Sequence, residues 1–289
     1  MKFKSILPIV VFTACTIKPA IDQSENIPDM KKNDKSFHQG HADVNGLTMY
    51  YEIRGQGNPL VLIHGGGSTI ETTFGRIIDE LSTSRQVISV ELQAHGHTSD
   101  RDTELSFEQD ADDVAELLRQ LNIDNADIFG FSNGGNTALQ LAIRHPHVIR
   151  KVIAASVLLR RDGTFPQFWN FMKNAKLEHM PKEYREAFLQ ITGDTSRLQI
   201  MHDKCVRRVL NLHDMDDEQL QSIKSPVLLV SGDADVATSE HLVQMSRLIP
   251  ACKLAIIPGG HGEYLGEITA PNHDRKYFEI IPILNRFLD

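Results

Sequence analysis

One short stretch constrains the fold more than any other: a serine enclosed by glycines between two structured segments. The apolar run Ala126–Phe131 leads directly to Ser132, and a stretch with helical character follows over 136–145. Gly130 and Gly134 stand two residues before and two residues after the serine. A serine at the tip of a strand takes a strained backbone conformation, and only small neighbours let strand and helix approach each other. The stretch therefore predicts a strand, a tight turn and a helix, with the serine at the apex.

The predicted turn also indicates a chemistry. The N–H of Asn133 would lie at the N-terminus of the helix and point toward negative charge that develops beside Ser132. As a string alone, Gly-x-Ser-x-Gly is common and also occurs in ordinary loops. The strand before it and the helix after it favour the catalytic interpretation. In this context the stretch resembles the nucleophile elbow of the α/β-hydrolase family.

A second glycine-rich segment follows another apolar run. The run 60–63 is typical of a strand buried on both faces in a parallel sheet, and it leads into His-Gly-Gly-Gly. In the α/β-hydrolase family a loop at this place supplies one of two oxyanion donors. The resemblance implies that this donor is the N–H of Gly66, or that of Gly67 if the loop behaves as in esterases with a longer glycine run. Asn133 would supply the second donor. A flexible glycine loop without a ligand is the alternative.

Two further strand ends carry an acid and a base. One apolar run ends in Ser-Gly-Asp-Ala-Asp, and the resemblance implies that the second aspartate, Asp235, is the triad acid, while Asp233 forms the turn. The last predicted strand, 253–257, precedes Pro-Gly-Gly-His-Gly, where His261 resembles the triad base. The chain order Ser132, Asp235, His261 is that of the α/β-hydrolases and differs from that of unrelated serine proteases.

The same resemblance implies a fold class, an eight-stranded and mostly parallel sheet flanked by helices, with a helical cap inserted after the sixth strand. Strand signals vanish over 157–221, where aromatic residues cluster at helical spacing, so this interval is the expected cap of a hydrolase domain spanning 37–289. A cap roofs the pocket, and we expect Phe168 and Trp169 near the substrate. Outside the cap, the pattern predicts helices over 71–81, 106–121, 239–249 and 274–288.

The function that the resemblance implies is a serine hydrolase, or serine esterase, acting on a small carboxylic ester, lactone or related acyl substrate. It calls for no metal or organic cofactor. A serine replaces the aspartate nucleophile of the epoxide hydrolases and dehalogenases of this fold, which disfavours those chemistries. A ligand-binding protein without turnover remains an alternative, and so do an amidase, a perhydrolase and a carbon–carbon bond hydrolase with the same triad.

Net charge and cysteine content limit the classes of partner and the kinds of metal or disulfide site that the sequence allows. The formal net charge is −8 and no cluster of Lys and Arg appears. Nucleic acids bind to basic surfaces, so we expect none as a partner. Cys15, Cys205 and Cys252 are too few for a disulfide framework and lack the spacing of a zinc site. His95 and His97 share a loop without a supporting set of carboxylates, which makes a poor metal site.

The N-terminus resembles a bacterial lipoprotein signal over residues 1–15. Two lysines precede the apolar run 6–12, and Thr-Ala-Cys follows, so that Cys15 would become the lipidated first residue. The run is far shorter than the roughly 20 residues that cross a bilayer. Residues 16–36 are polar without a hydrophobic period, which predicts a flexible tether. We expect an exported protein on a bacterial membrane, facing the periplasm or the cell surface; a plain secretory signal or a disordered tail is the alternative.

Overall fold

A single β-sheet organises the computed structural model, which describes residues 37–271 and 279–289. Its strands are β1 (His38–Val44), β2 (Leu47–Arg54), β3 (Asn58–Ile63), β4 (Arg85–Val90), β5 (Ala126–Phe131), β6 (Ile149–Ala155), β7 (Val227–Gly232) and β8 (Cys252–Ile257). They lie in the order β1-β2-β4-β3-β5-β6-β7-β8. The β1–β2 and β2–β4 pairs are antiparallel and the others are parallel. The eight-stranded, mostly parallel sheet predicted from the sequence is confirmed.

Helices cover both faces of this sheet. They are α1 (Ile70–Phe74), α2 (Ile78–Leu81), α3 (Phe107–Gln120), α4 (Asn133–Arg144), α5 (Pro166–Lys173), α6 (Lys182–Thr192), α7 (Thr195–Leu210), α8 (Asp217–Gln221), α9 (Ser239–Leu248) and α10 (Ile280–Leu288). One apolar core packs the sheet against α3, α4 and α9, and the other packs it against α1, α2 and α10. Successive side chains of β3 alternate between these cores, with Val61 and Ile63 in the first and Leu60 and Leu62 in the second. A strand buried on both faces is apolar throughout, as the run 60–63 is.

The turn between β1 and β2 shows how a local signal fixes the register. Asn45 and Gly46 both take positive φ values, 48° and 79°, and Val44 pairs with Leu47 across the turn. Two consecutive positive φ values give a turn whose twist matches that of the flanking strands, and Asn-Gly is the sequence that accepts them most readily.

Two helical predictions need correction or restriction. The sequence predicts one helix over 71–81, but the structure divides it into α1 and α2, and Gly75 caps the C-terminus of α1. Glycine costs about 1 kcal/mol relative to alanine inside a helix, which favours a break there. The last helix, predicted over 274–288, is described from Ile280 onward. The predicted signal and tether, including Cys15, lie outside the described residues, as do 272–278.

The segment between β6 and β7 folds into α5 to α8, which agrees with the helical insertion predicted after the sixth strand. Helix α7 is held to the sheet domain by ion pairs with the segment 100–110. These pairs are Lys204 with Asp100, Arg207 with Glu104 and Arg208 with Asp110. Within residues 37–271 and 279–289, no helix combines the length and the apolar character that a membrane crossing requires.

Candidate active site

The elbow at Ser132 adopts the conformation that its glycines predict. Ser132 has φ 54° and ψ −120°, a region that non-glycine residues rarely occupy. A Cβ atom on Gly130 would collide with the carbonyl of Gly134, and one on Gly134 would collide with the carbonyl of Ile63. The backbone N–H of Ser132 donates to Ala155 O at 2.7 Å. Neighbouring strands and the following helix therefore hold the serine in its strained state.

The structure brings together the three side chains expected to form a triad. Ser132, Asp235 and His261 follow β5, β7 and β8, whose C-terminal ends share one edge of the sheet. His261 Nε2 lies 3.2 Å from Ser132 Oγ, and His261 Nδ1 lies 2.6 Å from Asp235 Oδ1. Because the carboxylate accepts the proton on Nδ1, Nε2 is left to accept the serine hydroxyl. The other aspartate, Asp233, accepts the N–H of Gly259 at 2.9 Å and forms the turn, as expected.

The carboxylate of Asp235 is buried and strongly hydrogen-bonded. Its Oδ2 accepts from Ser156 Oγ at 2.6 Å and from Ser231 Oγ at 3.0 Å. Burial opposes ionisation, but the hydrogen bond and charge of His261, with the hydrogen bond from Ser156, outweigh it and lower the pKa of Asp235 to about 2. Asp235 is therefore ionised at any pH near neutrality and holds the imidazole by a charge-assisted hydrogen bond.

The sequence did not indicate that Ser156 and Tyr264 belong to the site. Ser156 directly follows β6 and takes φ 54°, and its Oγ lies 2.7 Å from the hydroxyl of Tyr264. Since Ser156 donates its one proton to Asp235, Tyr264 is the donor in that second bond. Burial raises the pKa of Tyr264 well above its usual value, so it remains a donor. The sequence signal that could have indicated Ser156 was its position directly after β6, the strand that pairs with β7.

The backbone of the glycine loop after β3 lies at the same cavity as Ser132. Gly66, Gly67 and Asn133 line one cavity with Ser132. The N–H of Gly67 is engaged, because it donates to His95 Nε2 at 3.0 Å. Over the described residues, no hydrogen bond is formed by the N–H of Gly66 or of Asn133. Of the two glycines that the resemblance allows, the geometry favours Gly66 as the oxyanion donor.

A neutral histidine holds this loop in place. His95 is fully buried, and its Nδ1 lies 2.8 Å from Gln93 O, so Nδ1 carries the proton and Nε2 is free to accept from Gly67. Desolvation by burial, and then the neighbouring His64, lower the pKa of His95 well below its usual value. The contact to Gly67 gives His95 a positioning role that the sequence did not indicate.

Comparison with known proteins agrees with this architecture. A family model described as the alpha/beta hydrolase fold matches residues 58–201. The structure of a 2-hydroxy-6-oxo-6-phenylhexa-2,4-dienoate hydrolase from Rhodococcus sp. strain RHA1 superimposes with a TM-score of 0.72 at 16% identity, covering 87% of this chain and 98% of that one. The chain has the α/β-hydrolase fold.

Named relatives are similar over part of their length. A 2-hydroxymuconate semialdehyde hydrolase of Pseudomonas sp. strain CF600 is 37% identical over 112 residues, which span 37% of this chain and 39% of the relative. A pyrrolizixenacetamide deacetylase of Xenorhabdus hominickii is 29% identical over 116 residues, which span 40% of this chain and 44% of the relative. The matches thus cover less than half of either relative. The matched family and the hydrolases among the relatives support a hydrolase.

The helices after β6 line an apolar cavity at Ser132 in this α/β-hydrolase fold. Its volume is about 410 Å³, and its lining includes Phe168, Phe171 and Met172 of α5. Trp169, expected beside the substrate, is absent from the lining. Its indole N–H donates to Arg161 O at 3.0 Å, and the Arg161 guanidinium lies 4.0 Å from the ring centroid. Phe168 thus faces the cavity, whereas Trp169 packs against Arg161 instead.

The two histidines of the loop after β4 do not form a metal site. His97 Nδ1 lies 3.0 Å from Glu91 Oε2, whereas His95 faces the glycine loop. Throughout the part of the chain that the structure describes, no three His, Cys, Asp or Glu side chains are grouped as metal ligands.

Proposed function

We propose that the protein is a serine hydrolase that cleaves a small carboxylic ester, a lactone or a related acyl substrate. The observation that carries the proposal is the hydrogen-bonded series from Ser132 through His261 to Asp235, at the base of an apolar cavity. A protein that only binds a ligand would need neither this series nor a serine held at a positive φ.

The mechanism that we propose is two-step acyl transfer. His261 takes the proton of Ser132 as the serine oxygen attacks the carbonyl carbon. The oxyanion so formed receives hydrogen bonds from the N–H groups of Gly66 and Asn133, each typically worth about 3–4 kcal/mol. The tetrahedral intermediate collapses when His261 returns the proton to the leaving alcohol. Water then attacks the acyl-serine by the same route, and Asp235 stabilises the imidazolium in both steps.

The cavity supports an apolar acyl group as the part of the substrate that binds beside Ser132. Phe168 and Phe171 bring aromatic surface to it, and Met180 and Met201 bring adaptable thioether side chains. We propose that 157–221 acts as the cap that selects substrates by shape. The deacetylase among the relatives makes an amide a reasonable second substrate class to test.

A broad screen of acyl substrates tests the proposal. Esters, lactones and amides are offered to the native protein, with Ser132→Ala as the blank. We expect ester or lactone turnover that the blank lacks, and a covalent organophosphonate adduct that maps to Ser132. Turnover that survives in Ser132→Ala would mean that another group is the nucleophile. If no acyl compound reacts and no phosphonate adds, the ligand-binding alternative becomes the better account.

We also propose, from the sequence alone, that cleavage before Cys15 and lipidation of that residue anchor the protein to a bacterial membrane. The support is the short apolar run that ends in Thr-Ala-Cys. Intact-mass measurement of the protein purified from its native membrane tests this. The expected mass is that of a chain beginning at an acylated Cys15, and a mature chain without an acyl group would refute the anchor.

A further inference from the structure

A second, smaller cavity adjoins the one at Ser132. Its volume is about 200 Å³. Phe107, Asn136 and Leu212 line both cavities, so the two share a border. A ligand that fills the larger cavity therefore contacts side chains that also line the smaller one. We call the smaller cavity, which both Asn136 and Arg208 line, the polar annex.

Asn136 contributes an acceptor to the polar annex. The residue lies in α4 and is 4% exposed. Its Nδ2 donates to Leu158 O at 3.0 Å, which fixes the orientation of the amide. Its Oδ1 is buried and has no hydrogen-bond partner in the described part of the protein. Buried side-chain acceptors are nearly always paired, so this oxygen calls for a donor from a bound molecule.

Arg208 contributes a donor to the polar annex from another helix. It lies in α7 and is 6% exposed. Its Nη2 lies 2.8 Å from Asp110 Oδ2, and its Nε has no hydrogen-bond partner among the described residues. Asp110 already balances the guanidinium charge. What Arg208 lacks is an uncharged acceptor, because a second anion here would bring an excess of negative charge into a buried site.

One donor and one acceptor, both buried and both unpaired, define the ligand. We propose that the polar annex binds a hydroxyl or primary amide group at the far end of the substrate, an inference that rests on the proposed hydrolase function. The group donates to Asn136 Oδ1 and accepts from Arg208 Nε–H. A methyl group at the same place would leave both protein groups unpaired, and such sites reject the apolar analogue strongly. The substrate class is thus an ester or lactone with an apolar segment and a neutral hydrogen-bonding terminus.

Matched pairs of p-nitrophenyl esters test this, each pair having one acyl chain that ends in a hydroxyl and one that ends in a methyl. The measured quantity is the ratio of kcat/KM within a pair, over a graded series of chain lengths. We expect the native protein to prefer the hydroxyl ester by about tenfold where the chain spans the two cavities. The ratio should fall to about one in Asn136→Leu, and also in Arg208→Met combined with Asp110→Asn, which leaves no unpaired carboxylate.

Lys204→Met is the matched control. It also lies in α7 and loses an ion pair to the sheet domain, but it lines neither cavity. It should keep the native ratio, which separates loss of the polar annex from loosening of the helix. The two annex variants change different helices, and circular dichroism shows whether each one folds. If one variant fails to fold, the ratio measured in the other tests the polar annex.

Two outcomes would overturn the polar annex. One is turnover of alkyl esters with no preference for a hydroxyl at any chain length, and the other is a preference that both annex variants keep. If no ester is turned over, the hydrolase proposal fails separately. The polar annex is then tested by calorimetry, which compares the binding of hydroxy acids and alkyl acids to the intact protein. Tighter binding of the hydroxy acid that Asn136→Leu abolishes supports the annex, and equal binding refutes it.

Discussion

The C-terminal edge of the sheet and the helices inserted after β6 contribute to one cavity in different ways. At the sheet edge, Ser132 and Asp235 follow β5 and β7, each of which pairs with a strand on both sides, and Asp235 is 8% exposed. In the insertion, Phe165 and Phe171 at α5 are 58% and 54% exposed. Groups expected to do chemistry are thus fixed by many contacts, whereas groups expected to select substrates are fixed by few.

The insertion is itself uneven. Helix α7 is tied to the sheet domain by three ion pairs, and Arg197 also donates to the carbonyls of Gly96 and Thr98. In the described residues, α5 has no ion pair of its own. We therefore expect α7 to form a fixed wall of the cavity and α5 to form its adaptable side.

The largest expected effect comes from breaking the sheet-edge series. His261→Ala should lower kcat by about 10⁴- to 10⁶-fold, because the serine loses its general base. Asp235→Asn should lower it by about 10⁴-fold, because the imidazole loses the acceptor that fixes its tautomer. Steady-state kinetics on one activated ester measure both. An equally large loss in Phe171→Ala would erase the contrast between the two regions.

The same carboxylate should appear in the pH dependence of stability. Hydrogen bonding and the charge of His261 overcome the opposing effect of burial and hold the folded-state pKa of Asp235 at about 2, against about 3.9 for an unfolded aspartate. A lowered pKa stabilises the fold fully above the unfolded value, and the benefit is lost as the pH falls toward the folded value. The unfolding free energy of the native protein relative to Asp235→Asn should therefore shrink by about 2 kcal/mol between pH 4 and pH 2. Urea titrations at several pH values measure it, and a constant difference would contradict the assignment.

A smaller effect is expected at Ser156, which touches the acid and not the nucleophile. Ser156→Ala removes the shorter of the two serine hydrogen bonds to Asp235 Oδ2. We expect kcat/KM to fall about tenfold, and the acid-induced loss of stability assigned to Asp235 to begin at a higher pH, because the Ser156 hydrogen bond helps to lower the pKa of that carboxylate. Ser231→Ala, which removes the longer bond, is the matched comparison and should change both quantities less. A pH dependence of stability identical to that of the native protein would limit Ser156 to a packing role.

The smallest effect separates two neighbours on α5. Phe168 lines the cavity and Trp169 does not. Phe168→Ala should change the relative rates for long and short acyl esters by a few-fold, with little change in Tm. Trp169→Ala should lower Tm, because it removes the contacts with Arg161, and should leave the relative rates unchanged. The reverse pattern would mean that Trp169, and not Phe168, contacts the substrate.

The sequence alone determined the fold class and the sites expected to carry the chemistry. Gly130 and Gly134 are required by backbone collisions within a few residues of Ser132, and Asp235 and His261 each follow a buried strand. Such signals are local or follow from strand order, because the C-terminal ends of parallel strands meet at one edge of the sheet.

Which residues contact and position the predicted site residues depends on the tertiary structure. Ser156 reaches Asp235 across 79 positions of the chain, His95 engages Gly67 across 28, and the direction in which Trp169 points depends on how α5 packs. Each of these contacts joins a side chain to a group in another part of the chain. Their geometry depends on the precise packing of helices and loops against the sheet. A periodic pattern of apolar residues does not carry that information.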